Sequence, residues 1–148
     1  MVKNIIFDWK RTLYDPDQQV LIDGAVELLD LIKSKNIPMV LIGKGGDEMD
    51  EAVSRLGVKG YFKKIIFAEG MKDPHMFMPY ISGDDPKKTL FIGDRVRSEL
   101  EIGKKLGAIT IWIKQGKFAL EAPLNKNQKP NYTVSNLTDC RLLLQNLF

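Results

Sequence analysis

Side chains that form disulfides and soft metal sites are almost absent from this 148-residue sequence, which holds one cysteine and one histidine. Cys140 has no second cysteine to pair with, so an internal disulfide is excluded, and its amphipathic surroundings predict a packing role. A Ser-His-Asp triad or a histidine metal cluster would have to rely on His75, which we expect at the surface. Chemistry is therefore expected from carboxylates, lysines, hydroxyls or a hard metal ion.

The sequence also lacks long apolar runs and a strong excess of charge. No run is long enough to span a bilayer, and Asp8, Lys10 and Arg11 interrupt the N-terminal segment where a signal core would lie. We therefore expect a cytoplasmic protein without a membrane partner. The net charge of +3 is too small to argue for nucleic acid, and the length suits a single domain over residues 1–148.

Short apolar runs alternate with segments of helical periodicity along the chain. The runs are Ile5–Phe7, Met39–Ile42, Ile65–Ala68, Thr89–Ile92 and Ala108–Ile113. This alternation predicts a three-layer α/β/α sandwich with a Rossmann-like parallel sheet. We expect the first strand at the centre, between the strand that ends at Gly43 and the strand that leads to Asp94.

Two of these apolar runs are followed by an acid. Asp8 comes directly after the first run, and Asp94 follows the fourth run after a single glycine. Carboxylates at the same end of parallel strands can converge on a hard cation such as Mg²⁺, and a carboxylate can also attack phosphorus. The alternative is that both residues are unrelated turn acids.

Three loop segments carry local signals. Tyr14–Asp17 is typical of a turn. Ser98 and Glu101 have the spacing of a capping box, which predicts a helix start at Ser98. The glycine-rich loop Gly43–Gly46 precedes a helix but lacks the Walker spacing, so it either binds an anion through backbone N–H groups or serves only the turn.

The stretch F-D-W-K-R-T-L-Y-D resembles the first motif of the haloacid dehalogenase-like (HAD) hydrolase superfamily, Asp-x-Asp-Gly-Thr-Leu. Asp8, Thr12 and Leu13 match that motif. The later stretch G-D-R-V-R-S-E-L is similar to the fourth motif, with Asp94 at its acid and Glu99 where a second aspartate commonly stands. The resemblance covers essentially the whole chain, and the short connections between strands indicate a member without a cap domain.

The resemblance implies a Mg²⁺-dependent phosphohydrolase (phosphatase) that acts through an aspartyl nucleophile. Asp8 would attack phosphorus. The metal would be held by Asp8, Asp94 and the backbone carbonyl of Lys10, with support from Glu99. The substrate would be phosphorylated, small or macromolecular. An open, capless cleft suits a large substrate, or closure by a neighbouring subunit in a homo-oligomer.

The same resemblance implies which residues bind the phosphate group. Thr12 and backbone donors from Gly43 to Gly45 would bind it, and a lysine of the third motif would neutralise it. Lys72 is the first candidate for that lysine, and Lys44 is the substitute.

Four positions depart from the family pattern. Lys10 replaces the aspartate that protonates the leaving group and then activates water, and Arg11 replaces the neighbouring glycine. Gly43 stands where the second motif ends in Thr or Ser, and Met71 occupies the lysine position of the third motif, with Lys72 one place later. Because a lysine ammonium is protonated at neutral pH, Lys10 as a catalytic group would be poor at the hydrolytic step.

Two functions are compatible with these departures. The first is a phosphohydrolase of low activity. The second is a catalytically inactive binding or regulatory protein of the same fold, in which the Lys10 ammonium lies between Asp8 and Asp94 in place of the metal.

Overall fold

The computed structural model describes residues 1–148, which form a six-stranded sheet, a short hairpin and four α-helices. In chain order the strands are β1 (Asn4–Phe7), β2 (Tyr14–Asp15), β3 (Val20–Leu21), β4 (Met39–Lys44), β5 (Lys64–Ala68), β6 (Thr89–Gly93), β7 (Ile109–Ile113) and β8 (Tyr132–Val134). The helices are α1 (Ala25–Ser34), α2 (Asp47–Arg55), α3 (Glu99–Lys105) and α4 (Leu137–Leu147).

The strand order of the large sheet is β5-β4-β1-β6-β7-β8, and every neighbouring pair runs parallel. β1 lies between β4 and β6, with Phe7 opposite Leu41 on one side and Ile92 on the other. The predicted central position of the first strand is therefore confirmed. Since the chain winds away from β1 in both directions, a crevice is expected beyond the carboxyl ends of β1, β4 and β6.

A hydrophobic core lies on each face of this sheet. Because side chains alternate along a strand, Ile5 and Phe7 belong to one core and Ile6 to the other. The larger core packs the sheet against α1, α2 and α4, and the smaller one packs it against α3. The three-layer α/β/α prediction is confirmed. None of the four helices combines the length and the apolar character that a membrane span requires.

The connection from β1 to β4 contains a hairpin that the residue pattern predicts only as a turn. Tyr14 and Asp15 pair antiparallel with Leu21 and Val20. Strands of two residues are too short to show a period-2 pattern in the sequence. This hairpin and α1 are the only regular elements between β1 and β4, and 3₁₀ turns alone separate β5 from β6. Neither connection holds a cap domain, as predicted.

Candidate active site

Two strand ends bring acids to the same edge of the sheet. Because β1 and β6 run parallel with Phe7 opposite Ile92, Asp8 and Asp94 leave the sheet side by side. Glu99 joins them from the first residue of α3. One carboxylate oxygen of each acid lies within 4.8 Å of the other two, and all three residues are buried. We call these three residues the acid cluster.

Lys72 is the cation that contacts the acid cluster. Its Nζ lies 2.5 Å from Asp8 Oδ1 and 3.8 Å from Glu99 Oε2, and its side chain is only 8% exposed. Lys44, the substitute candidate, is exposed and forms no ion pair. Of the two predicted lysines, Lys72 is therefore the one that the fold places beside Asp8.

A turn follows Lys72 directly. Asp73 accepts a hydrogen bond from the N–H of His75, and Pro74 opens a 3₁₀ turn. Met71, at the usual lysine position, is 94% exposed, and Lys72 takes the inward place. His75 lies at the surface beside Asp73, as predicted.

Thr12 is completely buried against the acid cluster. Its hydroxyl donates a hydrogen bond to Asp8 Oδ2 at 3.0 Å and lies 3.5 Å from Asp94 Oδ1. A hydroxyl without exposed surface does not reach a ligand, which corrects the predicted substrate contact of Thr12. Its hydrogen bond instead fixes the orientation of the Asp8 carboxylate.

Glu99 holds the backbone that carries Asp94. Its Oε1 accepts hydrogen bonds from the N–H groups of Asp94 and Arg95, at 3.1 and 3.2 Å. α3 begins where predicted, with Ser98 as its N-cap residue, but Ser98 makes no side-chain cap bond, so the predicted capping box is wrong. The space for the Glu99 carboxylate exists because residue 93 is glycine, whose missing Cβ would overlap it.

Electrostatic repulsion within the acid cluster favours bound protons or cations. Burial, together with the charges of Asp8 and Glu99, raises the pKa of Asp94 to about 9. Burial and the charge of Asp8 also raise the pKa of Glu99. Burial acts to lower the pKa of Lys72, but the carboxylates of Asp8 and Glu99 outweigh it and raise that pKa, so the ammonium stays charged.

The donor atoms fit a hard metal ion. Asp94 Oδ2 is buried and has no hydrogen-bond partner, and no hydrogen bond of the surrounding loop uses the Lys10 carbonyl oxygen. Carboxylate and carbonyl oxygens are the ligands that Mg²⁺ prefers. A cation here would pair the free oxygen and relieve the repulsion that raises the pKa of Asp94.

A cavity of about 640 Å³ opens beside the acid cluster. It is lined by six of the predicted site residues, Asp8, Lys10, Lys44, Lys72, Asp94 and Glu99. Five further basic residues that the motifs do not assign also line it, namely Arg11, Arg95, Arg97, Lys105 and Lys117. Arg11 directly follows Lys10 and Arg95 directly follows Asp94 in the sequence. These two positions could have indicated positive charge at the site, although the net charge of the whole chain is only +3.

A family model described as HAD-hydrolase-like matches residues 46–140. The chain belongs to the HAD-like hydrolases. The matched range includes the loop of Lys72 and the acids Asp94 and Glu99, whereas Asp8 lies before this range, directly after β1. The resemblance that the motifs indicated is therefore confirmed.

Curated relatives of this HAD-like chain are named glyceraldehyde 3-phosphate phosphatase. The one from Methanocaldococcus jannaschii is 30% identical over 103 residues, which are 66% of this chain and 44% of the relative. The one from Pyrococcus furiosus is 27% identical over 123 residues, 78% of this chain and 51% of the relative. The chain thus spans about half the length of these relatives.

Solved structures agree with the HAD-like fold. A HAD-superfamily hydrolase from Ehrlichia chaffeensis superposes with a TM-score of 0.73 at 18% identity, covering 99% of this chain and 98% of that one. A HAD phosphatase from Thermococcus onnurineus superposes with a TM-score of 0.70 at 18% identity, covering 84% and 58%. At these identities the similarity shows the fold.

The glycine-rich loop of this HAD-like chain does not present the backbone donors that the sequence suggests. Gly43 and Gly45 are buried and do not line the cavity. The N–H of Gly45 donates to the carbonyl of Ala68, and the N–H of Gly46 donates to the carboxylate of Glu48. The predicted phosphate contacts of Gly43 and Gly45 are corrected accordingly, and only Lys44 of this loop faces the cavity.

Lys10 lines the cavity without contacting the acid cluster. It forms no ion pair within 4.0 Å. The pKa of Glu48 is lowered mainly by hydrogen bonds from the backbone of Gly46 and of Glu48 itself, and the charge of Lys10 adds a smaller effect in the same direction. The interpretation in which the Lys10 ammonium lies between Asp8 and Asp94 is therefore wrong. Lys72 takes the place of the internal cation, and Lys10 stays at the wall of the cavity.

Proposed function

We propose that this chain is a Mg²⁺-dependent phosphohydrolase in which Asp8 is the nucleophile. The observation that carries the proposal is the acid cluster beside Lys72, at the crevice beyond the carboxyl ends of β1 and β6. Two of its acids, Asp94 and Glu99, have raised pKa values, and perturbed groups that converge in a cavity are typical of catalytic sites.

The residues that would hold Mg²⁺ are Asp8, Asp94 and the Lys10 carbonyl. Glu99 supports them by holding the Asp94 backbone. Mg²⁺ bound there supplies positive charge that offsets the carboxylates and polarises a phosphoryl oxygen. Lys72 supplies a second, permanent positive charge to the same place.

Asp8 carries the first chemical step in this proposal. Its carboxylate oxygen forms a bond to phosphorus while the bond to the ester oxygen breaks, giving phospho-Asp8 and an alkoxide that takes a proton from water to become the alcohol. The hydrogen bond from Thr12 and the ion pair with Lys72 orient the attacking carboxylate before the substrate arrives.

The second step is the slow one. Water must attack phospho-Asp8, and Lys10 stands where an aspartate would accept the proton of that water. The other acids at the cavity are engaged, since Glu99 accepts backbone hydrogen bonds and Glu101 pairs with Lys105. The phospho-Asp8 intermediate is therefore expected to accumulate.

A second candidate function is a protein that binds a phosphorylated ligand without turnover. The observation that favours it is the same lack of a free base at the cavity wall, where Lys10 stands. Under this alternative the cavity would bind phosphate and would complete neither chemical step.

Release of inorganic phosphate tests the proposal against this alternative. The substrates are p-nitrophenyl phosphate and glyceraldehyde 3-phosphate, the compound that the curated relatives' name specifies. We expect slow turnover that needs Mg²⁺, is abolished by Asp8→Asn and rises on Lys10→Asp by a factor within the ~10²–10⁴ of general acid–base catalysis. Lys59→Asp, at an exposed lysine outside the cavity, is the matched control. No turnover by either the wild type or Lys10→Asp would favour the binding protein.

A further inference from the structure

Three cations surround a single aromatic ring at one side of the cavity. The guanidinium carbon of Arg95 lies 4.1 Å from the centre of the Phe118 ring, Lys117 Nζ lies 5.5 Å from it, and the guanidinium carbon of Arg11 lies 5.7 Å from it. We call these four residues the Phe118 cluster. All four line the same cavity as Asp8 and Asp94.

The Phe118 cluster holds more positive charge than its surroundings neutralise. Glu121 is its one acidic partner, and it accepts hydrogen bonds from Nε and Nη2 of Arg95 on a single oxygen, at 3.3 and 3.0 Å. Arg11 and Lys117 form no ion pair. Because like charges gathered in a cavity repel, a bound anion would stabilise this arrangement.

Hydrogen bonds hold two parts of the cluster, the Arg95 guanidinium and the backbone of Arg11. The Glu121 side chain is only 7% exposed, and its second oxygen accepts the N–H of Arg97. On the other side, Nε2 of Gln115 donates to the carbonyl oxygen of Arg11 at 3.3 Å, which ties the loop after β1 to the segment of Phe118. Arg95 is held in advance, so it binds an anion with less loss of conformational freedom than a mobile side chain does.

The backbone of Arg11 adds an independent observation. Its φ is +64°, in the left-handed region that glycine adopts readily and other residues rarely adopt. An arginine at such a position keeps a strained backbone, and strain of this kind concentrates at functional sites. The side chain at this strained position, that of Arg11, lines the cavity.

We propose that the Phe118 cluster binds a second anionic group of the substrate, a phosphate or a carboxylate at the far end of a phosphorylated small molecule. This inference rests on the proposed function, because the first phosphate is taken to lie at Asp8. A cavity of about 640 Å³ has the size of a small-molecule site, and its free cations gather around one ring. Both features favour a compact ligand with two anionic ends.

The experiment compares matched esters that differ in the second anion. The pairs are fructose 1,6-bisphosphate with fructose 6-phosphate, and 3-phosphoglycerate with glycerol 3-phosphate. Equilibrium binding is measured by calorimetry in Mg²⁺ on the Asp8→Asn protein, which cannot form phospho-Asp8, so the readout does not depend on turnover. We expect the doubly anionic member of at least one pair to bind about tenfold or more tightly, the effect of one charge-assisted contact. The phosphate pair and the carboxylate pair show which anion the cluster prefers.

Two substitutions then test whether the Phe118 cluster causes the preference. Arg11→Gly suits the existing backbone conformation and removes one cation, and Lys117→Met removes another. Each is expected to reduce the preference severalfold, whereas Lys59→Met, at an exposed lysine outside the cavity, should leave it unchanged.

Equal binding within both pairs, or a preference that neither substitution reduces, would overturn the inference. The inference would also be overturned if a 5′-phosphorylated oligonucleotide bound more tightly than any of the small esters and both substitutions weakened that binding. The Phe118 cluster would then bind the end of a nucleic acid. Failure of the proposed function looks different. If the wild type releases no phosphate but keeps the binding preference, the proposed phosphohydrolase is wrong and the site for a second anion stands. If the wild type turns over substrate without a binding preference, the proposed phosphohydrolase stands and the site for a second anion is wrong.

Discussion

A side chain at position 43 would have no room in this fold. A Cβ built on Gly43 lies 2.8 Å from Phe67 Cε1 and 2.9 Å from Trp9 Cβ. Trp9 is completely buried, stacked on Tyr14 with 5.0 Å between ring centroids and packed edge-on against Phe67. The hydroxyl residue that this position usually carries is therefore excluded by the aromatic packing around it.

We predict that Gly43→Ser lowers the free energy of unfolding by about 1–3 kcal/mol, the usual cost of overpacking a core. Urea denaturation measures this change. Gly83→Ser is the control, since nothing lies within 4 Å of a Cβ at Gly83. Because Phe67→Ala removes one of the two contacts, Gly43→Ser should cost less stability in a Phe67→Ala protein than it costs in the wild type. Equal stability of the Gly43→Ser protein and the wild type would show that the aromatic residues do not constrain this position.

Asp94 gives the second prediction for a single residue. Its free, buried Oδ2 and its neighbours Asp8 and Glu99 make it a ligand for Mg²⁺ in the proposed site. Isothermal titration should therefore show Mg²⁺ binding by the wild type that weakens at least about tenfold in Asp94→Asn. Asp50→Asn, at an exposed acid of α2, should bind like the wild type. Equal binding by the Asp94→Asn protein would remove Asp94 from the metal site.

At the scale of elements, α4 closes the larger core with a buried thiol. Cys140 has no exposed surface, and burial raises its pKa to about 12. Because the thiolate is the reactive form, we predict that Cys140 does not react with Ellman's reagent in the native protein between pH 7 and 9. The urea-unfolded protein should react fully, and faster as the pH rises through the ordinary thiol range. Fast reaction of the native protein would show that α4 opens from the core.

The strands could be predicted from sequence more completely than the contacts between their ends. Apolar runs fall on β1, β4, β5, β6 and β7 because buried parallel strands need apolar side chains on both faces. The capping box does not form because Ser98 makes no side-chain cap bond and Glu101 instead contacts Lys105 and Gln128. The contact with Gln128 is one that local spacing does not reveal. The motifs made Lys72 the first candidate and Lys44 the substitute, and the fold decided between them by bringing Lys72 Nζ to 2.5 Å from Asp8 Oδ1.

At the scale of the whole molecule, the fold gathers charge that the sequence distributes. The cavity draws on the last residue of β4 and on the segments after β1, β5, β6 and β7, so cations far apart in the chain meet beside the acid cluster. A net charge of +3 gives no hint of this concentration. Prediction from sequence therefore reached the motif residues and missed the Phe118 cluster, whose members share no motif. That residues 1–148 form one domain stays a prediction, and a single cooperative unfolding transition is its expected result.

The central claim is that Asp8 forms a covalent intermediate that Lys10 cannot help to hydrolyse. Mass spectrometry of protein quenched in acid after mixing with acetyl phosphate and Mg²⁺ tests it most directly. We predict that the wild type carries one added phosphoryl group on the peptide that contains Asp8, that Lys10→Asp carries less because it hydrolyses the intermediate faster, and that Asp8→Asn carries none. A phosphoryl group on another residue would contradict the claim, and so would robust wild-type turnover that falls on Lys10→Asp, because Lys10 would then be a working catalytic group.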